Sequence, residues 1–162
     1  TEQKNLQDVK STDSGRTVYG GGGITPDQKY EPPKLNKFQT DLLSKYEFFN
    51  FSAKWFGSHP QAHLNKGWEP DASVVNEFHE YLLKQGLAFM EADWTENHTW
   101  IQQQLKREMY ATAFSYEDSQ KVAIETDPEV LKAIDDMPDA RTLLDKAKKL
   151  VVERIQRDDP RR

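Results

Sequence analysis

The chain holds four histidines, the side chains best suited to metal binding or proton transfer near neutral pH. Two of them, His59 and His63, stand four positions apart. On a helix that spacing would put two ligands on one face, but Pro60 opposes a helix there and no acidic third ligand stands at a recognisable offset. His79-Glu80 matches the start of a zinc-protease helix, yet Leu83 occupies the place of the second histidine, so that motif is rejected. Glu77 and His79 are read as the solvated rim of a helix. Asp93, Glu96 and His98 gather near an expected helix start, where acids are favourable against the macrodipole without catalytic work. Asp135, Asp136 and Asp139 have neither the glycine nor the bidentate glutamate of a calcium loop, and are read as a solvated face. The expectation is no cofactor and no metal.

Gly20, Gly21, Gly22 and Gly23 are a candidate anion cradle by composition alone. Phosphate loops need a helix N-terminus directly after the glycines, and Ile24-Thr25-Pro26 supplies an extended arm instead. Near the C-terminus, Lys146, Lys148, Lys149, Arg154, Arg157, Arg161 and Arg162 are interleaved with Asp145, Glu153, Asp158 and Asp159, and the formal charge of the whole chain is −5. Neither nucleic acid nor an anionic membrane is expected as a partner. No apolar run approaches the ~20 residues of a membrane span, so membrane insertion is not expected either, and the N-terminus has no signal-peptide apolar core. The absence of cysteine excludes disulfides and thiolate zinc sites.

The elements that would position these groups are mostly helices. A chain of 162 residues can bury roughly 70% of the surface of its unfolded form. Apolar residues at 36% and aromatics at 11% argue for a small, aromatic-rich core, and 30% charged residues for a thoroughly solvated exterior. Thr1 to Ser14 reads as a flexible polar lead-in, Arg16 to Tyr19 as the one strand, and Gln28 to Pro33 as a stiff connector. An isolated strand must pair with water, a neighbouring copy or the helical part, so self-association or disorder is expected there.

Leu35, Phe38, Leu42, Tyr46, Phe49, Ala53 and Phe56 recur at intervals of 3, 4, 4, 3, 4 and 3, which predicts one helix with a single buried face ending at Gly57. Phe48, Phe51 and Trp55 widen that face. This suits a helix central to a bundle, or one docking on two bodies. Asp71 is a good cap for a second helix with Val75, Phe78 and Leu82 inward and Gly86 past its end. Leu87 to Trp94 suggests a further turn. Thr95 can cap a third helix, from Glu96 to about Phe114, with Ile101, Leu105, Met109 and Ala113 inward. Ser115 to Asp118 resembles a capping box for a helix with Val122 and Ile124, and Asp127-Pro128 opens another. Met137-Pro138-Asp139 is read as a break before a last helix burying Leu143, Ala147, Leu150 and Val151. No internal repeat and no sustained heptad emerges. The expected fold is mainly α: a helical domain of five to six helices over residues 34–162, with a short N-terminal β-strand and glycine-rich arm in residues 1–33.

The wording of that arm is specific. Gly15, Arg16, Tyr19, Gly20, Gly21, Gly22, Gly23, Ile24, Pro26 and Asp27, in G-R-T-V-Y-G-G-G-G-I-T-P-D, closely resemble the last conserved strand region of the C-terminal processing (tail-specific) serine protease family. The resemblance extends to Asp8-Val9-Lys10 and Thr12-Asp13-Ser14, and more loosely to residues 35–56 and 94–114. It implies that the chain is the carboxyl-terminal portion of such a protease, in the periplasm or cell envelope. Family members use a serine in a small-residue motif and a lysine between glycines as general base. Ser11, Ser14, Ser44, Ser52, Ser58, Ser73, Ser115 and Ser119 lie outside such a setting, no lysine stands between two glycines, and no PDZ module is recognised. The segment itself is therefore expected to be inactive. The resemblance makes its partners the upstream PDZ and protease body of the same polypeptide, with protein substrates reached through that body, and a homo-oligomer is a further candidate. The alternative is an independent helical interaction module whose candidate docking residues are Trp55, Phe56 and Trp68.

Overall fold

The computed structural model describes residues 9–12, 17–19 and 28–157. Of the arm's singled-out residues, Gly15, Arg16, Gly20 to Gly23, Ile24, Pro26 and Asp27 lie outside the described residues, whereas Tyr19 ends a strand. The fold is mainly α, with two short strands and seven helices among the described residues. They are β1 (Val9–Ser11), β2 (Thr17–Tyr19), α1 (Lys37–Ser44), α2 (Glu47–Ser58), α3 (Ala72–Lys84), α4 (Glu91–Glu96), α5 (His98–Ala113), α6 (Tyr116–Glu125) and α7 (Pro128–Arg157). The chain divides into two compact units, one of Pro32–Leu131 and one combining Thr1–Glu31 with Lys132–Arg162.

In the second of these units the expected lone strand has a mate. β1 pairs antiparallel with β2, Val9 opposite Tyr19, Lys10 opposite Val18 and Ser11 opposite Thr17. Part of the expected lead-in is thus a strand. It supplies hydrogen-bonding groups that would otherwise have to come from water, another copy or the helices.

The unit Pro32–Leu131 holds the core, built from rings. Phe78, fully buried, lies 4.9 Å from Phe48 and 5.1 Å from Phe51, centroid to centroid. Trp94 and Trp100 reach the same cluster through Phe78 and Phe48. Around it stand Leu42, Val75, Leu82, Ile101, Leu105 and Met109.

The helix expected over residues 35–56 is two helices. Asn36 opens α1 with a capping box, its Oδ1 accepting from the Gln39 amide at 2.9 Å and its own amide donating to Gln39 Oε1 at 3.0 Å. At Tyr46 the backbone turns left-handed, φ 56° and ψ 35°, and α2 starts on a new bearing. The turn changes which residues point inward. Phe38 and Leu42 of α1 are buried, but on α2 the buried side chains are Glu47, Phe48, Phe51, Ser52 and Trp55. Leu35, Tyr46 and Phe49 of the expected stripe are exposed. A break of two residues, Lys45 and Tyr46, is enough to rotate the apolar face, because burial follows direction and not spacing alone.

The other caps show local chemistry at work. Asp71 Oδ1 accepts from the Val74 amide at 3.0 Å to open α3. At its end, Gly86 takes a positive φ of 73°, and the Gly86 and Leu87 amides donate back to the Leu83 and Leu82 carbonyls. This is the Schellman arrangement, with buried Leu87 as its apolar contact. Asn97, not Thr95, precedes α5: Thr95 Oγ1 donates to the Glu91 carbonyl within α4, while Asn97 Nδ2 donates to the Asp93 carbonyl. Ser115 Oγ accepts from the Asp118 amide at 3.1 Å to open α6. Along α5, Ile101, Leu105 and Met109 are buried as spaced, and Ala113 is exposed. The loop before α3 is tied to α5 by the amide of Gly67, at φ 106°, which donates to the Tyr110 hydroxyl at 2.7 Å, and by Lys106, whose Nζ donates to Glu69 at 2.6 Å.

The expected break at Met137-Pro138-Asp139 is absent. α7 runs unbroken through Pro138 for 30 residues. An internal proline costs about 3 kcal/mol by removing one donor and crowding the preceding turn, and the helix formers on both sides carry the helix past it. The burial expected of Leu143, Ala147, Leu150 and Val151 is not found either, since no residue of α7 is buried.

Candidate functional site

The clearest concavity of the Pro32–Leu131 unit is a groove of about 170 Å³ between α2 and α3. Phe51 and Trp55 form its floor, Lys54 and Ser58 one wall, and Glu77, Glu80, Tyr81 and Lys84 the other. That volume is below the roughly 300 Å³ at which small-molecule sites usually begin. One lining residue, Tyr81, belongs to a buried polar pair. Tyr81 donates its hydroxyl to Glu47 Oε2 at 3.0 Å, with Glu47 itself 6% exposed. Burial, and then the Glu47 carboxylate as hydrogen-bond acceptor and negative charge, push the Tyr81 phenol up to about 12. Lys54 Nζ lies 5.3 Å from the centre of the Tyr81 ring, a cation held over an aromatic face.

At the groove's rim a serine, a histidine and a carboxylate fall in line. Ser58 Oγ is 3.1 Å from His59 Nδ1, and His59 Nε2 is 3.8 Å from Glu77 Oε2. The order of types is that of a hydrolytic triad, but the protons are in the wrong places. His59 Nδ1 also lies 3.0 Å from the Trp55 carbonyl, which can only accept, so Nδ1 must carry the ring proton and cannot take one from Ser58. The serine hydroxyl is itself directed at the carbonyls of Lys54 and Trp55. It stands at a helix C-terminus, where the dipole disfavours a developing alkoxide. The constellation closes the end of α2, with the His59 ring stacked 4.5 Å from Trp55.

The other histidine of interest is also structural. His79 sits edge-on to Trp94 at 4.4 Å and Phe89 at 5.5 Å. Its Nε2 comes within 3.2 Å of Glu91 Oε1, yet at an angle that makes no hydrogen bond. Among the described residues no group of three or more His, Asp or Glu side chains is placed to hold a metal ion. Asp93 accepts from the Met90 amide at 2.9 Å and so caps α4, rather than the long helix α5 whose expected start it stands near. Asp136 pairs along α7 with Lys132 at 2.7 Å.

Of the candidate docking residues, Trp55 is buried, and Phe56 and Trp68 are partly buried and packed on the core. They hold the domain together and offer no open aromatic face. Sequence reasoning missed the polar links between helices: Glu47 with Tyr81, Ser52 with Thr112 at 2.8 Å, and Asn36 with Asn97 at 2.9 Å. At the surface, Lys106 is bridged to Glu69 at 2.6 Å and Glu125 at 3.5 Å. Burial works against its charge, but the two carboxylates outweigh it and hold the ammonium above its ordinary range. Asp118 is held below the usual carboxylate range, first by the Ser115 hydroxyl and then by Lys66. These pairs bind elements to one another.

Comparison with protein-family models, with curated proteins and with solved structures finds no match to this chain.

Proposed function

We propose that this chain is the non-catalytic carboxyl-terminal region of a C-terminal processing serine endopeptidase. The observation that carries the reading is the wording of residues 15–27, G-R-T-V-Y-G-G-G-G-I-T-P-D. It is supported by the extended backbone of Thr17–Tyr19 within that run and by the helical make-up of residues 37–157. Within the Pro32–Leu131 unit, the one serine that stands beside a histidine, Ser58, has no base to activate it. In this reading the parent enzyme, in the periplasm or cell envelope, hydrolyses peptide bonds near protein C-termini with a Ser/Lys dyad carried elsewhere in the polypeptide. The present region completes a sheet of the protease body through β2 and adds a helical module to it.

The test is a mixing experiment. A tail-specific protease body ending just before its glycine block is combined with this chain, and cleavage of a peptide with an apolar C-terminus is followed. The chain alone should release no product, and the mixture should cleave at least tenfold faster than the truncated body alone. Absence of both complex and rate gain would overturn the reading. A second reading, an interaction module independent of any protease, is favoured by one observation: the apolar residues that α7 leaves exposed.

A further inference from the structure

Because α7 is continuous through Pro138, residues on both sides of the proline share one helical register, and a seven-residue recurrence appears that a break would hide. Val130, Met137, Leu144 and Val151 recur at one heptad position, and Ala133, Ala140 and Ala147 at the neighbouring one three residues on. Together they form a seam of alternating large and small side chains. The seam is open: Met137 is 65% exposed and Leu144 53%. Leu143 and Leu150 flank it on one side, Ile134 and Ile155 on the other.

The charges along the helix say what fits it. Residues 128–139 carry Glu129, Asp135, Asp136 and Asp139 against Lys132 alone. Residues 140–157 carry Arg141, Lys146, Lys148, Lys149, Arg154 and Arg157 against Asp145 and Glu153. The first stretch is acidic and the second basic. A second α7 laid parallel would set acid beside acid and base beside base along its whole length; laid antiparallel about residues 145–146, it sets Asp135, Asp136 and Asp139 along the stretch that carries Arg154 and Arg157, and residues 140–151 along their own copy.

We propose that α7 is a self-complementary docking surface for the α7 of a second copy of this chain, running antiparallel and centred near residues 145–147. In that register each seam layer joins a small residue to a large one: Ala147 meets Leu144 of the other copy, and Ala140 meets Val151 of the other copy. On one flank Leu143 faces Leu150 of the other copy, and Asp136 faces Arg157 of the other copy. Asp136 now holds Lys132 across one exposed turn, a pair of small worth that an incoming guanidinium can share. On the other flank Ile134 faces Ile155 of the other copy and Arg141 faces Lys148 of the other copy, the one like-charged pair among the positions beside the seam. Pro138 lies on the side of the helix away from the seam, so its ring does not enter the contact. This inference stands on α7 alone and does not depend on the protease reading.

Sedimentation equilibrium of the full chain at micromolar concentration should show a dimer that weakens as salt is raised. Leu144→Asp, at an exposed position and so with unchanged circular dichroism, should raise the dissociation constant at least tenfold, and Lys148→Glu, which turns the like-charged neighbour into an ion pair, should lower it. Direction is read by disulfide trapping, since the chain has no cysteine of its own. Asp136→Cys and Arg157→Cys chains should each cross-link poorly alone and readily when mixed. A chain that stays monomeric at all concentrations would overturn the proposal. So would a dimer indifferent to Leu144→Asp, or Asp136→Cys chains that cross-link readily to themselves.

Discussion

Helices α5 and α7 carry the same kind of information in sequence and put it to different use. Both place apolar side chains at helical spacing. Ile101, Leu105 and Met109 of α5 are fully buried, whereas Ile134, Leu144 and Ile155 of α7 are exposed. What separates them is company. α5 packs against both α2 and α6, while α7 buries none of its own residues. An apolar stripe therefore states a need for a partner, and only the rest of the chain says whether that partner is internal.

The contrast is tested most strongly at the aromatic centre. Phe78→Ala should cost about 3–5 kcal/mol in urea unfolding, since it empties the site between Phe48 and Phe51. Leu144→Ala, measured on dilute protein, should change stability by no more than about 0.5 kcal/mol. A large loss at Leu144 under those conditions would mean that α7 has an internal partner after all.

A second pair of variants sharpens the contrast between internal and external polar groups. Tyr81→Phe removes the donor to Glu47 and leaves a buried carboxylate short of a partner, at an expected cost of about 1–3 kcal/mol. Lys132→Ala, which opens the exposed pair with Asp136 on α7, should cost under about 0.5 kcal/mol.

The same phenol gives a pH signature. Its folded value of about 12 stands above the ordinary 10.0, so the unfolded chain loses its proton first. The stability this contributes is complete below about pH 10 and is lost as pH rises through about 12. Stability of the parent protein should fall across that window more steeply than that of Tyr81→Phe, and equal slopes would remove the phenol from the account.

A small effect of the opposite sign belongs to the turn between α1 and α2. Tyr46 is exposed and left-handed, a conformation that Asn tolerates better. Tyr46→Asn should raise the unfolding free energy by about 0.5 kcal/mol, and a loss would show that the tyrosine ring contributes more than its backbone costs.

What is legible in the sequence is local. Asp71, Ser115 and Gly86 declare helix ends by chemistry that acts over three or four residues, and Val75, Phe78 and Leu82 declare a face because nothing interrupts α3. The turn at Tyr46 announces itself with neither glycine nor proline, so spacing alone gives α2 the wrong phase and puts Phe49 where Phe48 belongs. Pro138 misleads in the opposite sense: proline signals a break, and here the helix absorbs it. In the candidate site, Ser58, His59 and Glu77 are neighbours only because α2 and α3 pack side by side. Glu47, an acid in the first turn of a helix, gives no sign in sequence that a tyrosine 34 positions away will bury it. Pairings of that kind are decided by packing, which no short-range pattern encodes.

The bond from the Gly67 amide to the Tyr110 hydroxyl has a consequence on the time axis. Within the loop that precedes α3, this one proton is held by a side chain of α5. It can trade with deuterium only when the loop lifts from the helix. Its exchange rate would clock the lifting of the loop from α5, with the Lys106–Glu69 bridge as the neighbouring tie that must give with it.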